Sequence, residues 1–386
     1  MILTMLNSQE LALATAPIES ARGLPNHCYT SEEAFKADRD KVFATTWAGL
    51  CFKTDLPKDQ FAMPIDFMGL PLLVVKNSTG GIEVFHNVCR HRGMTLMDEP
   101  GEVKKHIRCP YHGWSYSLSG ELEITPNIGG TGVHTHPCFA NENANLSKVR
   151  AYVWQDIVFI NLDGQAESFE DYIAPLENRW REYLGGEGVN AYVLAENGKN
   201  QLNVNSNWKL AVENYLESYH LPTVHPELNR TSPLKQHYII EPVDHMHGQG
   251  SLCYKQKSKS ASLPTNQNWP EDKFHIAEYP VLYPNVLLGV HADHFFVMLI
   301  RPLSYDRSEE NVRIYTLPEG ANDDTYQGRR KEIADGWANV FLEDVFAVER
   351  MQVGRSSPGF DGGIMSPAMD TTTHHFHGWV AKKLGS

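Results

Sequence analysis

The chain lacks several features that define common classes of protein. No segment reaches about 18 consecutive apolar residues, so the sequence predicts no membrane-spanning helix. The first residues, MILTMLNSQELALATAPIES, do not join a basic region to an apolar core as a secretory signal does, and we expect a cytoplasmic protein. No GxGxxG motif follows a predicted strand, and there is no P-loop. We therefore expect no nicotinamide or nucleotide domain within this chain.

Positive charge and cysteine are also scarce. The 34 Lys and Arg residues against 47 Asp and Glu residues give a formal net charge of −13, which argues against nucleic acid as a partner. Six cysteines in 386 residues do not suggest a disulfide framework. Two of them lie in a motif described below, and the others are expected to be buried thiols. These four are Cys28, Cys51, Cys138 and Cys253.

The hydrophobic pattern divides the chain into three parts. Residues 1–45 predict a leader followed by one helix over 31–43, with a cap at Thr30 or Ser31. Residues 46–165 contain short apolar runs separated by Gly, Pro, Asn and Asp, which is typical of a small all-β domain. Residues 166–386 mix helical and strand patterns. A chain of this length is also expected to form two domains.

The third part predicts an α+β domain. A helix is expected over 207–220, then two strong strand patterns, then a long helix over 325–353. Strands followed by one long helix suggest an antiparallel sheet wrapped around that C-terminal helix, which is a helix-grip arrangement.

Residues 86–116 (HNVCRHRGMTLMDEPGEVKKHIRCPYHGWSY) hold two loops that each offer one cysteine and one histidine. The pairs are Cys89-x-His91 and Cys109-x-x-His112. A structural zinc site usually takes like ligands from each loop. A 2Fe–2S cluster with two cysteines on one iron and two histidines on the other suits mixed pairs. The pattern predicts such a cluster, with a zinc ribbon as the alternative interpretation.

A second group of candidate ligands lies in NWKLAVENYLESYHLPTVHP, residues 207–226. His220 and His225 are five residues apart, which would separate them on a regular helix. Pro222 is expected to break the helix between them, so that both imidazoles can reach one metal. Core packing of the two histidines is the alternative.

A carboxylate is needed to complete a two-histidine iron site. Glu213, Glu217 and His220 are expected to share one face of the predicted helix. In the long helix, Asp344 falls on an otherwise apolar stripe, where a carboxylate is costly unless it is paired or binds metal. Two histidines and Asp344 would form the facial triad of a non-heme iron oxygenase. Glu343 lies off the stripe and is expected to be solvated.

These motifs resemble the Rieske non-heme iron oxygenases, specifically the alpha subunits of ring-hydroxylating oxygenases. The resemblance rests on CRHRG, CPYHGWSY, N-W-K, E-N-Y and the acid-x-x-His-x4-His pattern. It implies a 2Fe–2S cluster on Cys89, His91, Cys109 and His112. It implies a mononuclear iron on His220, His225 and Asp344. Glu217 matches the carboxylate that links this iron to the cluster of a neighbouring subunit; a surface acid is the alternative.

The resemblance also implies partners and a class of substrate. Members of this family form rings, so a homotrimer is expected, and electrons are expected from a separate NAD(P)H-dependent reductase with flavin and 2Fe–2S groups. In having Glu rather than Asp at position 217, the chain resembles the subgroup that oxidises choline, glycine betaine, carnitine and proline betaine.

Three functions therefore remain open from sequence. The first is oxygenation of a small quaternary ammonium compound, by N-demethylation or C–N cleavage. The second is hydroxylation or dihydroxylation of an aromatic acid or ring. The third is a Rieske electron carrier without chemistry of its own, which leaves more than 200 residues unexplained. Aromatic side chains in the third part could face a cationic substrate, but the sequence does not identify which of them do so.

Overall fold

The structure is a computed structural model that describes residues 8–255 and 258–385. The chain forms two compact units. The smaller unit is Thr45–Ala166, and the larger combines the chain before Thr45 with Glu167 onwards. The described part of the expected leader therefore packs with the larger unit. None of the described helices is both long enough and apolar enough to cross a membrane.

The smaller unit is all-β. A seven-stranded antiparallel sheet has the order β1-β10-β9-β4-β3-β2-β5, and a three-stranded sheet has the order β6-β7-β8. The strands are β1 (Ala48–Phe52), β2 (Phe61–Phe67), β3 (Leu70–Lys76), β4 (Ile82–His86), β5 (Gly101–Glu102), β6 (His106–Arg108), β7 (Ser115–Ser117), β8 (Leu122–Ile124), β9 (Lys148–Trp154) and β10 (Ile157–Asn161). The two Cys/His loops follow β4 and β6. Their cysteines, Cys89 and Cys109, pack into the hydrophobic core of this unit.

The larger unit is the expected α+β domain. Its antiparallel sheet has the order β11-β17-β16-β15-β14-β13-β12. The strands are β11 (Val193–Val204), β12 (His237–Val243), β13 (Met246–Ser251), β14 (Ala277–Leu282), β15 (Val286–Val290), β16 (Phe295–Ser304) and β17 (Arg307–Thr316). The helices are α1 (Ser8–Ala14), α2 (His27–Thr30), α3 (Glu32–Ala37), α4 (Phe169–Leu184), α5 (Trp208–Leu216), α6 (Leu221–Val224), α7 (Pro226–Thr231), α8 (Pro318–Ala321), α9 (Gln327–Arg355) and α10 (Thr371–Gly385).

Helix α9 is the long helix expected from the sequence, and it packs against β11 and α5. The N-terminal helix also forms, but in two parts. Ser31 caps α3 by accepting the Ala34 N–H at 3.1 Å, and residues 38–43 then continue as a π-helix. Cys28 and Cys51 are buried as expected, whereas Cys138 is exposed and Cys253 is half-buried.

The helix expected over 207–220 ends early, at Leu216. Glu217 is extended, and its carboxylate accepts the backbone N–H groups of Tyr219 and His220. The Glu217 carboxylate thus accepts N–H groups that backbone carbonyls would accept in a continued helix, and the helix ends before Pro222. Pro222 and Pro226 lie in the first turns of the short helices α6 and α7, where a missing N–H is tolerated.

A buried ion pair anchors the start of α5. Lys209 and Asp38 form a salt bridge in which neither side chain is exposed, and the Trp208 indole N–H donates to Asp38 at 3.0 Å. Because Asp38 lies in the π-helical segment, this pair ties the N-terminal region to the helix that leads to His220.

We expect Asp38→Ala to destabilise the protein by about 3–5 kcal/mol, because the Lys209 ammonium would stay buried without its partner. Thermal or urea unfolding followed by far-UV circular dichroism measures this effect. Glu32→Ala removes the exposed i,i+4 pair with Lys36 and is the matched control, with an expected loss below about 0.5 kcal/mol. Equal losses in the two variants would contradict an anchoring role for the buried pair.

Candidate metal centres

The structure brings His220, His225 and Asp344 together in the larger unit. Their ligand atoms lie within 4.8 Å of one another. Asp344 Oδ1 is 2.8 Å from His225 Nε2 and 3.6 Å from His220 Nε2. His220 lies in the turn after α5, His225 lies between α6 and α7, and Asp344 projects from α9. Two imidazole nitrogens and one carboxylate converging on one point fit a non-heme iron with open positions.

Each histidine of the triad is oriented by a second carboxylate. His220 Nδ1 is 2.6 Å from Glu217 Oε1, and His225 Nδ1 is 2.6 Å from Glu343 Oε2. These contacts place the Nδ1 protons towards Glu217 and Glu343 and leave both Nε2 atoms for a metal. Glu343 is exposed, as expected, with its side chain 44% exposed, but its carboxylate is also bonded to a buried imidazole, which the sequence did not predict.

Electrostatics around the triad favour positive charge. Burial alone would lower the pKa of His225, but hydrogen bonds and charge from Asp344 and Glu343 outweigh it and raise that pKa above its ordinary value. Glu310 on β17 is buried nearby, and burial together with the Asp344 charge raises its pKa to about 8. No sequence pattern marked Glu310, because its place in a strand does not reveal what lies opposite.

Glu213 does not share a helix face with Glu217 and His220, contrary to expectation. Its carboxylate is buried and contacts Arg355 at 3.3 Å, His377 at 3.0 Å and the Tyr29 hydroxyl. The early end of α5 explains the difference, because Glu217 and His220 no longer follow the helical repeat. Glu213 therefore joins helices α5, α9 and α10 instead of facing the triad.

The triad opens on a cleft with acidic, aromatic and neutral polar walls. Four aromatic side chains line it: Tyr215, Tyr279, Trp337 and Phe341. The neutral polar side chains that line it are Asn214, Ser232, His237 and Gln249. The carboxylates are Glu217 and Asp344, and no Lys or Arg lies among the described residues that line the cleft.

His237 is a lining residue that the sequence did not single out. Its Nδ1 is 2.7 Å from Gln249 Oε1 and its Nε2 is 2.9 Å from Ser232 Oγ. Burial lowers its pKa, which keeps the imidazole neutral near pH 7. The residue starts β12, so only the pairing of β12 with β13 brings it to the cleft.

The other histidines considered from sequence do not join the triad. His291 and His294 lie at the turn between β15 and β16. His245 and His247 lie at the start of β13, and His374, His375 and His377 lie in α10. In the part of the chain that the structure describes, three ligand atoms approach one another closely enough for a single ion at His220, His225 and Asp344.

The two Cys/His loops of the smaller unit have the same backbone. The Gly93 N–H donates to Cys89 O at 3.0 Å, and the Gly113 N–H donates to Cys109 O at 3.1 Å. Both glycines have φ near +74°, which side chains with a Cβ rarely adopt. In each loop the turn presents one cysteine and one histidine, and the two loops lie side by side at one end of the smaller unit, which we call the tip.

The donor atoms at this tip fit a cluster. The side chains of Cys89 and Cys109 are buried, while His91 and His112 are exposed, with ring centroids 4.6 Å apart. Backbone N–H groups of Tyr111 and His112 point at the Cys109 sulfur, and the Tyr116 hydroxyl lies 3.3 Å from the Cys89 sulfur. Buried thiols, exposed imidazoles and donors to sulfur suit a 2Fe–2S cluster of the Rieske type.

Family models match two parts of the chain. Residues 46–137 match the Rieske [2Fe–2S] domain, and residues 193–386 match the ring hydroxylating alpha subunit (catalytic domain). The chain belongs to the ring-hydroxylating oxygenase alpha-subunit family. It is an oxygenase of the Rieske type, and its cofactors are a 2Fe–2S cluster and a mononuclear iron.

Curated proteins and solved structures are similar to this oxygenase over most of its length. The carnitine monooxygenase oxygenase subunit of Escherichia coli (strain K12) is 27% identical over 374 residues, covering 94% of each chain. The chloroplastic choline monooxygenase of Spinacia oleracea is 27% identical over 384 residues, covering 95% of this chain and 80% of its own. A quaternary ammonium Rieske monooxygenase studied for carnitine oxidation and inter-subunit electron transfer has a TM-score of 0.76 at 21% identity, covering 99% of each chain.

We expect Asp344→Ala to lose mononuclear iron and turnover while keeping the visible spectrum of the cluster. The variant removes one of three candidate ligands from the larger unit, and the cluster loops lie in the smaller unit. Metal analysis alongside absorption spectra measures both sites in one sample. An Asp344→Ala protein that keeps wild-type iron content and activity would remove Asp344 from the ligand set.

We expect Glu343→Ala to weaken Fe(II) binding about 10- to 100-fold, because His225 would lose the acceptor that fixes its Nδ1 proton. Glu343→Gln keeps an acceptor oxygen and should lose less. Anaerobic Fe(II) titration of metal-depleted protein against a coloured chelator gives the affinity. Asp335→Asn changes an exposed carboxylate on the same helix and is the control; wild-type affinity in Glu343→Ala would show that the contact is unimportant for the metal.

Proposed function

We propose that this protein is the terminal oxygenase of a multicomponent system that oxidises a small quaternary ammonium compound. The observation that carries the proposal is the charge of the cleft. The charged side chains lining it are the carboxylates Glu217 and Asp344, without Lys or Arg among the described lining residues. An aromatic acid would bring a carboxylate, and no compensating cation, towards these carboxylates, which is unfavourable in a poorly solvated site.

The cleft walls also suit a cation with methyl groups. Aromatic faces attract cations and exclude water, and they do not require directed hydrogen bonds from an alkylated nitrogen. Neutral polar groups such as His237 and Gln249 could bind a hydroxyl or carboxylate elsewhere on the substrate. Carnitine and choline, which the similar monooxygenases are named for, both combine a quaternary nitrogen with such a group.

The proposed reaction begins at a carbon next to the quaternary nitrogen. One atom of O2 enters a C–H bond and the other leaves as water, with two electrons and two protons consumed. The resulting carbinol collapses to an aldehyde and an amine, so the net outcome is N-demethylation or C–N cleavage. The iron would supply oxygen activation and the cluster single electrons. His220, His225 and Asp344 would hold the iron, and Glu217 and Glu343 would fix the imidazole orientations.

Electrons are proposed to arrive from outside the chain. We expect a separate NAD(P)H-dependent flavin and 2Fe–2S reductase to load the cluster on Cys89, His91, Cys109 and His112. The exposed edge at His91 and His112 is open to a partner surface. Glu217 is proposed to link a neighbouring subunit's cluster to His220, to which it is already bonded.

A homotrimer would supply that neighbouring cluster, since head-to-tail contacts between identical chains can close into a ring. Three exposed apolar residues in the second half of α9 are consistent with a covered face in such an assembly. These are Leu342, Phe346 and Val353, at 57%, 59% and 74% exposure. We place the assembly in the cytoplasm, where the free thiols would stay reduced.

The proposal is tested by a substrate panel with an NADH-dependent reductase, measuring NADH oxidation, O2 uptake and products. The panel contains carnitine, choline, glycine betaine, proline betaine and simple aromatic acids. We expect a quaternary ammonium compound to give aldehyde and amine in proportion to O2 consumed. Asp344→Ala, assayed in parallel, corrects for oxidation by the reductase alone. A catechol or cis-diol from an aromatic acid, without turnover of the ammonium compounds, would overturn the proposal.

A further inference from the structure

A chain of four hydrogen-bonded side chains, three of them buried and one half-buried, ends at the wall of the metal cleft. Arg329 donates to Asp293 Oδ2 from Nε at 3.2 Å and from Nη2 at 2.7 Å. Asp293 Oδ1 is 2.6 Å from His294 Nδ1, and Trp337 Nε1 donates to His294 Nε2 at 2.9 Å. We call Arg329, Asp293 and His294 the relay. It joins the turn between β15 and β16 to helix α9.

The protonation of the relay follows from its donors. An indole N–H can only donate, so His294 Nε2 must accept and therefore carries no proton. The proton of the neutral imidazole is then on Nδ1, where it is donated to Asp293. Arg329 holds Asp293 with two hydrogen bonds, which restricts the orientation of the carboxylate that accepts from His294. The relay thus fixes the orientation of the Trp337 ring.

Trp337 lies on the same face of α9 as an iron ligand. Trp337, Phe341 and Asp344 are spaced i, i+4 and i+7, and all three line the cleft. At 1.5 Å per residue, the backbone positions of Phe341 and Trp337 lie about 4.5 and about 10.5 Å along the helix axis from that of Asp344. Tyr279, whose ring centroid is 6.0 Å from that of Trp337, lines the cleft too. The spacing along the helix allows a small substrate to place its cationic group near these rings while the adjacent carbon, the one to be oxidised, lies near the iron site.

We propose that Trp337 binds the quaternary ammonium group of the substrate and that the relay of Arg329, Asp293 and His294 positions it. This inference rests on the proposed function and names the side chain that gives it specificity. Among the natural aromatic side chains, tryptophan attracts a cation most strongly. Its polar edge, however, requires a buried acceptor, which the relay provides. The acidic cleft concentrates a cation, and the fixed indole distinguishes a charged head from an uncharged one of the same shape.

The test compares two probes that differ in charge alone. Choline carries a trimethylammonium head, and 3,3-dimethylbutan-1-ol replaces its nitrogen with carbon. Dissociation constants for both are measured by calorimetry on the anaerobic holoenzyme, and their ratio reports recognition of the charge. We expect wild-type protein to prefer choline. Trp337→Leu should reduce this preference about 3- to 30-fold, because the indole face is lost, while binding of the carbon isostere changes less.

Further variants separate recognition from folding. Trp337→Phe keeps a ring but not the polar edge, so it should retain part of the preference. His294→Leu leaves Trp337 in place without its acceptor, and we expect an intermediate loss of preference with the cluster spectrum and iron content unchanged. Trp379→Phe changes a buried tryptophan of α10 outside the metal cleft and should leave the ratio at its wild-type value.

The outcomes distinguish this inference from the proposed function. Turnover of ammonium compounds together with an unchanged ratio in both Trp337 variants would overturn the role of Trp337 alone. A wild-type protein that binds choline no better than the isostere would also overturn it. Aromatic products in the substrate panel would remove the proposed function itself. A loss of preference in Trp379→Phe equal to that in Trp337→Leu would show a general packing effect and would overturn the assignment.

Discussion

The carboxylate of Asp344 faces two imidazoles, and the arrangement of the larger unit depends on this contact. A carboxylate on the inner face of a helix is unfavourable without a cationic or metal partner. Its partners come from a segment more than 100 residues earlier, at 2.8 and 3.6 Å from one oxygen. Such a site exists only when the segment that carries the histidines and helix α9 are held in a fixed relation.

Several buried polar contacts hold that relation. Glu213 of α5 bonds to Arg355 of α9, and the Asn207 N–H at the start of α5 donates to Gln352 of α9 at 2.9 Å. The Lys209–Asp38 pair ties α5 to the N-terminal region as well. Because charged groups without partners are costly inside a protein, these contacts leave little freedom for α5 to shift. The position of His220 and His225 follows from that restraint.

The charge around the triad connects structure to the proposed chemistry. Glu217 and Glu343 orient the two imidazoles, and Asp344 is the third candidate ligand, so three carboxylates would lie around a divalent metal bound there. Such an environment favours a cationic substrate and disfavours an anionic one. The aromatic side chains of the cleft, among them Trp337, can contact an alkylated nitrogen, which has no hydrogen bond to donate. Electrostatic selection and iron binding are thus served by neighbouring groups on the same helix.

Much of the site could be predicted from sequence because its motifs are local. The spacing of the Cys/His loops depends only on short turns that need glycine after each pair. The α+β fold, the long helix and the position of Asp344 on it followed from hydrophobic periodicity. His220 and His225 were identified by their spacing, although the reason given for their approach, a helix broken at Pro222, was wrong in detail.

The sequence by itself determined the cluster loops, the fold class and the candidate ligands, since each is encoded within one turn or one helical repeat. Only the tertiary structure decided which carboxylates serve which histidines. Glu343 is exposed and yet bonds to His225, while Glu213, expected on one helix face with Glu217 and His220, bonds to Arg355. His237, Glu310 and the relay behind Trp337 were likewise set by strand pairing and helix packing. Contacts between distant segments depend on how those segments pack, which residue spacing does not specify.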